Sequence, residues 1–140
     1  MSYRDTVRAQ LQVDEGTVEH AYQDSEGYLT IGVGRLIDKR VGGRLRPDEI
    51  ALLLDNDIAA AEADAKALFP GFEGLSDTRK AVLVNMAFNL GRSRLGAFQR
   101  FRAAVSEGNW DVAAAEMLDS RWAEQVGQRA VRLAEQMKEG

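Results

Sequence analysis

Tyr22-Gln23-Asp24-Ser25-Glu26-Gly27-Tyr28-Leu29-Thr30-Ile31-Gly32-Val33-Gly34 is the stretch where this chain stops reading as helix. Asp24-Ser25-Glu26-Gly27 is a turn signal between two short extended runs. Asp and Ser bond nearby backbone, and Gly accepts a positive φ. Beyond the turn the side chains alternate. Tyr28, Thr30, Gly32 and Gly34 fall on one strand face, and Leu29, Ile31 and Val33 on the other. Period-two logic makes the second set the core face. The first face carries no side chain at Gly32 and Gly34, which lets a ligand come close to the backbone.

Working outward, both flanks are helical. Val7, Leu11 and Val13 among polar residues predict a short amphipathic first helix, stopped by Gly16 and leaving Glu15 at its C-terminus. Gly42-Gly43 marks a further connection. Pro47 suits the first position of a long helix, with Asp48 and Glu49 in its first turn and Pro70-Gly71 as its break. Ser76 caps a second long helix through Leu90, ended by Gly91. Shorter helices are predicted over Leu95–Glu107, Trp110–Leu118 and Gln128–Glu139. The fold class is α+β: a small N-terminal strand-containing lobe and a larger helical lobe with a cleft between them, a usual place for a ligand. The expected boundaries within this single domain are about 14–60 for the small lobe and connecting helix. About 1–13 and 61–140 form the helical lobe.

Composition excludes several function classes. The chain has 140 residues, no cysteine and one histidine. Disulfides, thiolate metal sites and polyhistidine zinc sites are therefore out of reach, and no metal or cofactor is implied. A net charge of -4 gives no global pull toward nucleic acid or anionic membrane. No apolar run is long enough for a membrane span, and Met1 to Val13 is too polar for a secretory signal. The expectation is a monomer made in the cytoplasm, which something else must release if it acts outside. The Gly32-x-Gly34 pair lacks the third glycine and the following helix of a dinucleotide site. His20 receives no role. Arg92, Arg94, Arg100 and Arg102 form either a basic patch or a solvated helix face. Trp110 and Trp122 are expected to pack in the core or at its edge.

Three residues could carry chemistry. A carboxyl at a helix C-terminus, as at Glu15, meets the negative end of the macrodipole, which disfavours its ionised form. A protonated glutamic acid can protonate a leaving oxygen. Asp24 is either an Asx-turn residue or a carboxylate that activates water. Thr30 is either a plain strand former or a hydroxyl that holds a water against that carboxylate.

Together these residues resemble the phage-type lysozymes, the family of the T-even phage lysozyme. Its pattern is a glutamate, eight residues, an aspartate, five residues and a threonine, which here are Glu15, Asp24 and Thr30. The resemblance extends in order through Asn85-Met86-Ala87-Phe88-Asn89-Leu90-Gly91, Ser120-Arg121-Trp122 and Arg129-Ala130-Val131-Arg132. It implies an endolysin-like muramidase that hydrolyses the β-1,4 bond between N-acetylmuramic acid and N-acetylglucosamine of bacterial peptidoglycan. The glutamate would be the general acid, with the aspartate and threonine positioning water. Gly32, Leu36 and Phe88 would touch substrate, and Arg129 would pair with the glutamate. The threonine points to inversion at the anomeric carbon.

The sequence also departs from the best-known member. Arg35 replaces a histidine, and Phe101 and Glu116 stand where small polar residues contact sugar. The segment after Leu36 is shorter. The alternative function is a catalytically inactive lysozyme-fold wall-binding or structural protein, which the intact three residues argue against. A helical interaction domain with an accidental match is opposed by the four collinear segments.

Overall fold

Ser2 starts the first helix. Its Oγ accepts the Asp5 amide at 3.2 Å while the Asp5 carboxylate accepts the Ser2 amide at 3.1 Å, a reciprocal cap. Helix α1 (Tyr3–Glu15) ends where the Gly16 amide donates to the Gln12 carbonyl at 3.1 Å. The structure, a computed structural model, describes residues 2–23, 25–33, 35–38 and 44–140. Asp24, Gly34 and the Gly42-Gly43 connection lie outside the described residues. The chain forms two compact units, Met1–Leu52 and Leu53–Gly140.

In the first unit, α1 is followed by three strands: β1 (Val18–Gln23), β2 (Leu29–Gly32) and β3 (Arg35–Asp38). They form an antiparallel sheet in the order β1-β2-β3. Tyr22 and Leu36 flank Thr30 from the two sides, and Val18 pairs with Gly32. The register shifts between Val18 and Tyr22, and again between Leu29 and Thr30. Such shifts rotate side chains off strict alternation. The expected core face is therefore corrected: Thr30 is buried, whereas Ile31 and Val33 are half-buried. The loss of register spoils the period-two argument.

Arg35, at the start of β3, donates through Nη2 to Glu49 in the first turn of helix α2 (Pro47–Leu68). Glu49 also accepts the Arg46 amide at 2.8 Å. That amide, with the charges of Arg35 and Arg46, holds the Glu49 carboxyl below the usual carboxylate range against a smaller desolvation effect.

The second unit holds the core. It comprises most of α2, α3 (Asp77–Gly96), α4 (Gln99–Glu107), α5 (Trp110–Leu118), α6 (Arg121–Val126) and α7 (Gln128–Glu139). Val82, Leu83, Met86, Leu95, Phe101, Met117 and Met137 are its largest fully buried side chains. Ser76 caps α3 by accepting the Arg79 amide. Gly91 interrupts α3 with φ 80° and ψ 165°, a backbone conformation open essentially to glycine alone. The expected stop at Gly91 is thus a break, after which the helix resumes to Gly96.

The predicted helix over Leu95–Glu107 begins only at Gln99, because Phe98 has non-helical ψ. Helix α6 was not anticipated. Six residues are too few for a readable period, and its signal is the Ser120 cap on the Ala123 amide.

Two arginines tie helix ends together. Arg102 donates to the Gly96 carbonyl at 3.0 Å and the Leu68 carbonyl at 3.2 Å. Arg79 donates to the Met137 and Lys138 carbonyls and lies 3.9 Å over the Trp110 ring. Cations there meet the negative ends of helices. Arg94 reaches Gln125. Within the arginine cluster, Arg102 is thus a structural clamp.

Candidate active site

The first unit carries Glu15, Thr30, Gly32 and Leu36. Glu15 is the last residue of α1 and is exposed. Two residues separate it from Val18, whose cross-strand partner is Gly32. Thr30 lies two positions back along β2, so a short backbone path links Glu15 to the sheet. Thr30 is 4% exposed, and it is the sole buried polar side chain among the described residues. Its Oγ1 donates to the Tyr28 carbonyl at 3.2 Å. The hydroxyl proton is thereby engaged, while the oxygen keeps lone pairs that can accept.

Leu36 is half-buried and pairs directly with Thr30. Gly32 has φ 67°, and a Cβ there would meet nothing within 4 Å. Backbone conformation, rather than crowding, therefore calls for glycine at this position. Asp24 lies outside the described residues.

The second unit brings Phe88 and Arg129 to one groove of about 540 Å³, which Leu54, Ile58, Val84 and Asn85 also line. Phe88 is 48% exposed, a large apolar ring left open to solvent. Arg129 donates through Nε at 3.1 Å and Nη2 at 2.7 Å to the single Oδ1 of Asn85. Sequence reasoning gave Asn85 no role. Its signal was available, since it opens the Asn85–Gly91 block that carries the resemblance.

Phe101, one of the departures from the family pattern, belongs to the core. It is 1% exposed and packs edge-to-face against Phe69 and Phe98, at 5.9 and 6.3 Å between centroids. A ring committed to the core is withheld from sugar. Glu116 is half-buried. Trp122 is buried and its indole donates to Asn89 Oδ1 at 2.7 Å. Among the described residues, no group of three or more His, Asp or Glu could hold a metal ion, and no helix is long and apolar enough to cross a membrane.

Comparison with known proteins gives this geometry its context. The family described as phage lysozyme matches residues 12–138. The probable T4-type lysozyme 1 of Dictyostelium discoideum is 26% identical over 161 aligned residues, covering 96% of this chain and 95% of that protein. Probable T4-type lysozyme 2 of the same organism is 27% identical, covering 91% of each. The pre-baseplate central spike protein of Enterobacteria phage T4 is 30% identical across 88% of this chain, which spans only 26% of that longer protein. A match running from the end of α1 to the end of α7, across an α+β fold with a three-stranded sheet, establishes the chain as a member of the phage lysozyme family, a glycoside hydrolase of the lysozyme type.

Proposed function

We propose that this protein is an active, inverting muramidase, with Glu15 as general acid and Asp24 and Thr30 directing the attacking water. Family membership supports peptidoglycan as substrate. The observation that carries the finer reading is the buried Thr30 hydroxyl. Its proton is engaged by the Tyr28 carbonyl, so its remaining capacity is to accept a hydrogen bond, and a water molecule can give one.

In the proposed reaction, Glu15 delivers its proton to the glycosidic oxygen as the bond from the anomeric carbon to that oxygen breaks. A water held by Thr30 and Asp24 attacks the same carbon from the opposite face and loses its proton to Asp24. One carbon–oxygen bond is lost and one gained, and configuration inverts. Gly32, Leu36 and Phe88 are proposed substrate contacts. Arg129 is the proposed supporting cation of the site.

Glu15→Gln is the direct test. The amide fills the same space but has no proton to give, so release of muropeptides from purified peptidoglycan should fall by roughly 10²–10⁴-fold. The circular dichroism spectrum should be unchanged. Clearance at the wild-type rate would sink the assignment. Stereochemistry is decided separately: proton NMR of the fresh product, read before mutarotation, should show the α-anomer, and a β-product would make Asp24 a nucleophile.

A further inference from the structure

We infer that Asn85 is a positioning residue for the reaction, because it fixes the plane and heading of the Arg129 guanidinium in the groove shared with Phe88. This rests on the reading of Arg129 as the cation of the muramidase site. Nε and Nη2 occupy one edge of the guanidinium, and both donate to the same Asn85 oxygen, at 3.1 and 2.7 Å. A fork closed on a single acceptor cannot turn about its long axis without breaking both bonds. The opposite edge, carrying Nη1, takes no part in the grip. Asn85 thus leaves the far side of the cation available while holding its orientation.

Both residues are poor local choices, which strengthens the inference. Asn85 sits in the middle of α3, flanked in sequence by Val84 and the buried Met86. Asparagine is a weak helix former there, because its side chain competes for backbone groups. Arg129 sits in the first turn of α7, where the positive end of the helix dipole disfavours a cation. Structural economy would choose leucine at the first position and an acidic or neutral residue at the second. Local rules broken in a mutually bonded pair, beside an exposed aromatic ring in a groove, mark a functional constraint. Phe88 lies three residues after Asn85, so the helix puts both on the same face.

The test uses steady-state kinetics on soluble peptidoglycan fragments with the whole protein. Asn85→Leu keeps the size of the side chain and improves helix propensity, but removes the acceptor. Its kcat should fall roughly 10- to 100-fold, the range expected when a catalytic constellation is displaced by about an ångström. KM and Tm should stay near the wild-type values. Asn85→Asp keeps an acceptor oxygen and should restore kcat to within a few-fold of wild type. Adding Asn85→Leu to Arg129→Ala should cause no further loss, since the gripped group is already gone.

Wild-type kcat in Asn85→Leu would overturn the inference, and so would an equal further loss on top of Arg129→Ala. If Asn85→Leu does not fold, Asn85→Asp decides, and a loss of 10-fold or more in that folded variant also overturns it. Failure of the muramidase reading itself looks different: the wild type releases no muropeptides, or Glu15→Gln remains active, and the role of Asn85 falls with it. A wild-type enzyme that is active and silenced by Glu15→Gln, yet indifferent to Asn85→Leu, rejects the positioning role alone.

Discussion

Thr30 stands apart from the other threonines of the chain, Thr6, Thr17 and Thr78, all of which are exposed. Burying a hydroxyl without a partner is costly, and the Tyr28 carbonyl removes that cost at Thr30. Thr30→Val keeps the β-branched shape and removes the hydroxyl. It should lower kcat by roughly 10- to 100-fold through a misdirected water, with about 1 kcal/mol of lost stability from the missing hydrogen bond. Thr30→Ser should retain most of the activity, and unchanged kinetics in both variants would remove Thr30 from the mechanism. The position of Thr30 was legible in the spacing from Glu15, but its burial was not. The alternation argument put its face outward, and only the register shifts explain the reversal. The grip of Asn85 on Arg129 was illegible for a different reason, since the two stand 44 positions apart and no local pattern joins them.

Helices with a cap and a breaker were the most readable elements. Ser76, Gly91 and the Pro47 to Pro70 interval each announce themselves by backbone chemistry rather than by hydrophobic pattern. Helix α6 escaped because it is short, and the start of α4 because Leu95 and Phe98 continue an apolar period across a backbone break. The break at Gly91 predicts its own mutational effect. A Cβ there would meet nothing within 4 Å, so Gly91→Ala tests conformation without crowding. It should cost about 1–3 kcal/mol and several degrees of Tm, measured calorimetrically.

The junction of β3 with α2 makes a pH prediction. The Glu49 carboxyl is held below the ordinary glutamate value of 4.5 in the folded chain. Its support is therefore complete above the unfolded value, and is lost as pH falls through the lower folded value. An NMR titration of the Glu49 side-chain carbon should show a midpoint below 4.5, which moves up toward it in Arg35→Met. A midpoint at or above the ordinary glutamate value would contradict the arrangement of Arg35 and Arg46 around Glu49.

On the scale of the whole chain, the two units are built from different materials. Among the described residues, every buried apolar side chain lies in the second unit, from Ala61 to Met137. Stability to global unfolding should follow that core. Met86→Ala, at a fully buried site, should cost about 2–5 kcal/mol, whereas substitutions at exposed Glu15 should leave Tm nearly unchanged. Amide exchange should be slowest in α3, α5 and α7 and faster in β1 to β3, where few apolar side chains cover the hydrogen bonds. Uniform protection across both units would contradict this division. The same partition has an optical consequence. Both tryptophans, Trp110 and Trp122, belong to the second unit, and all three tyrosines, Tyr3, Tyr22 and Tyr28, to the first. The native chain therefore carries two separate chromophore sets. Emission excited selectively in the indoles follows the second unit alone, while the ultraviolet absorbance of the phenols follows the first, with no label attached.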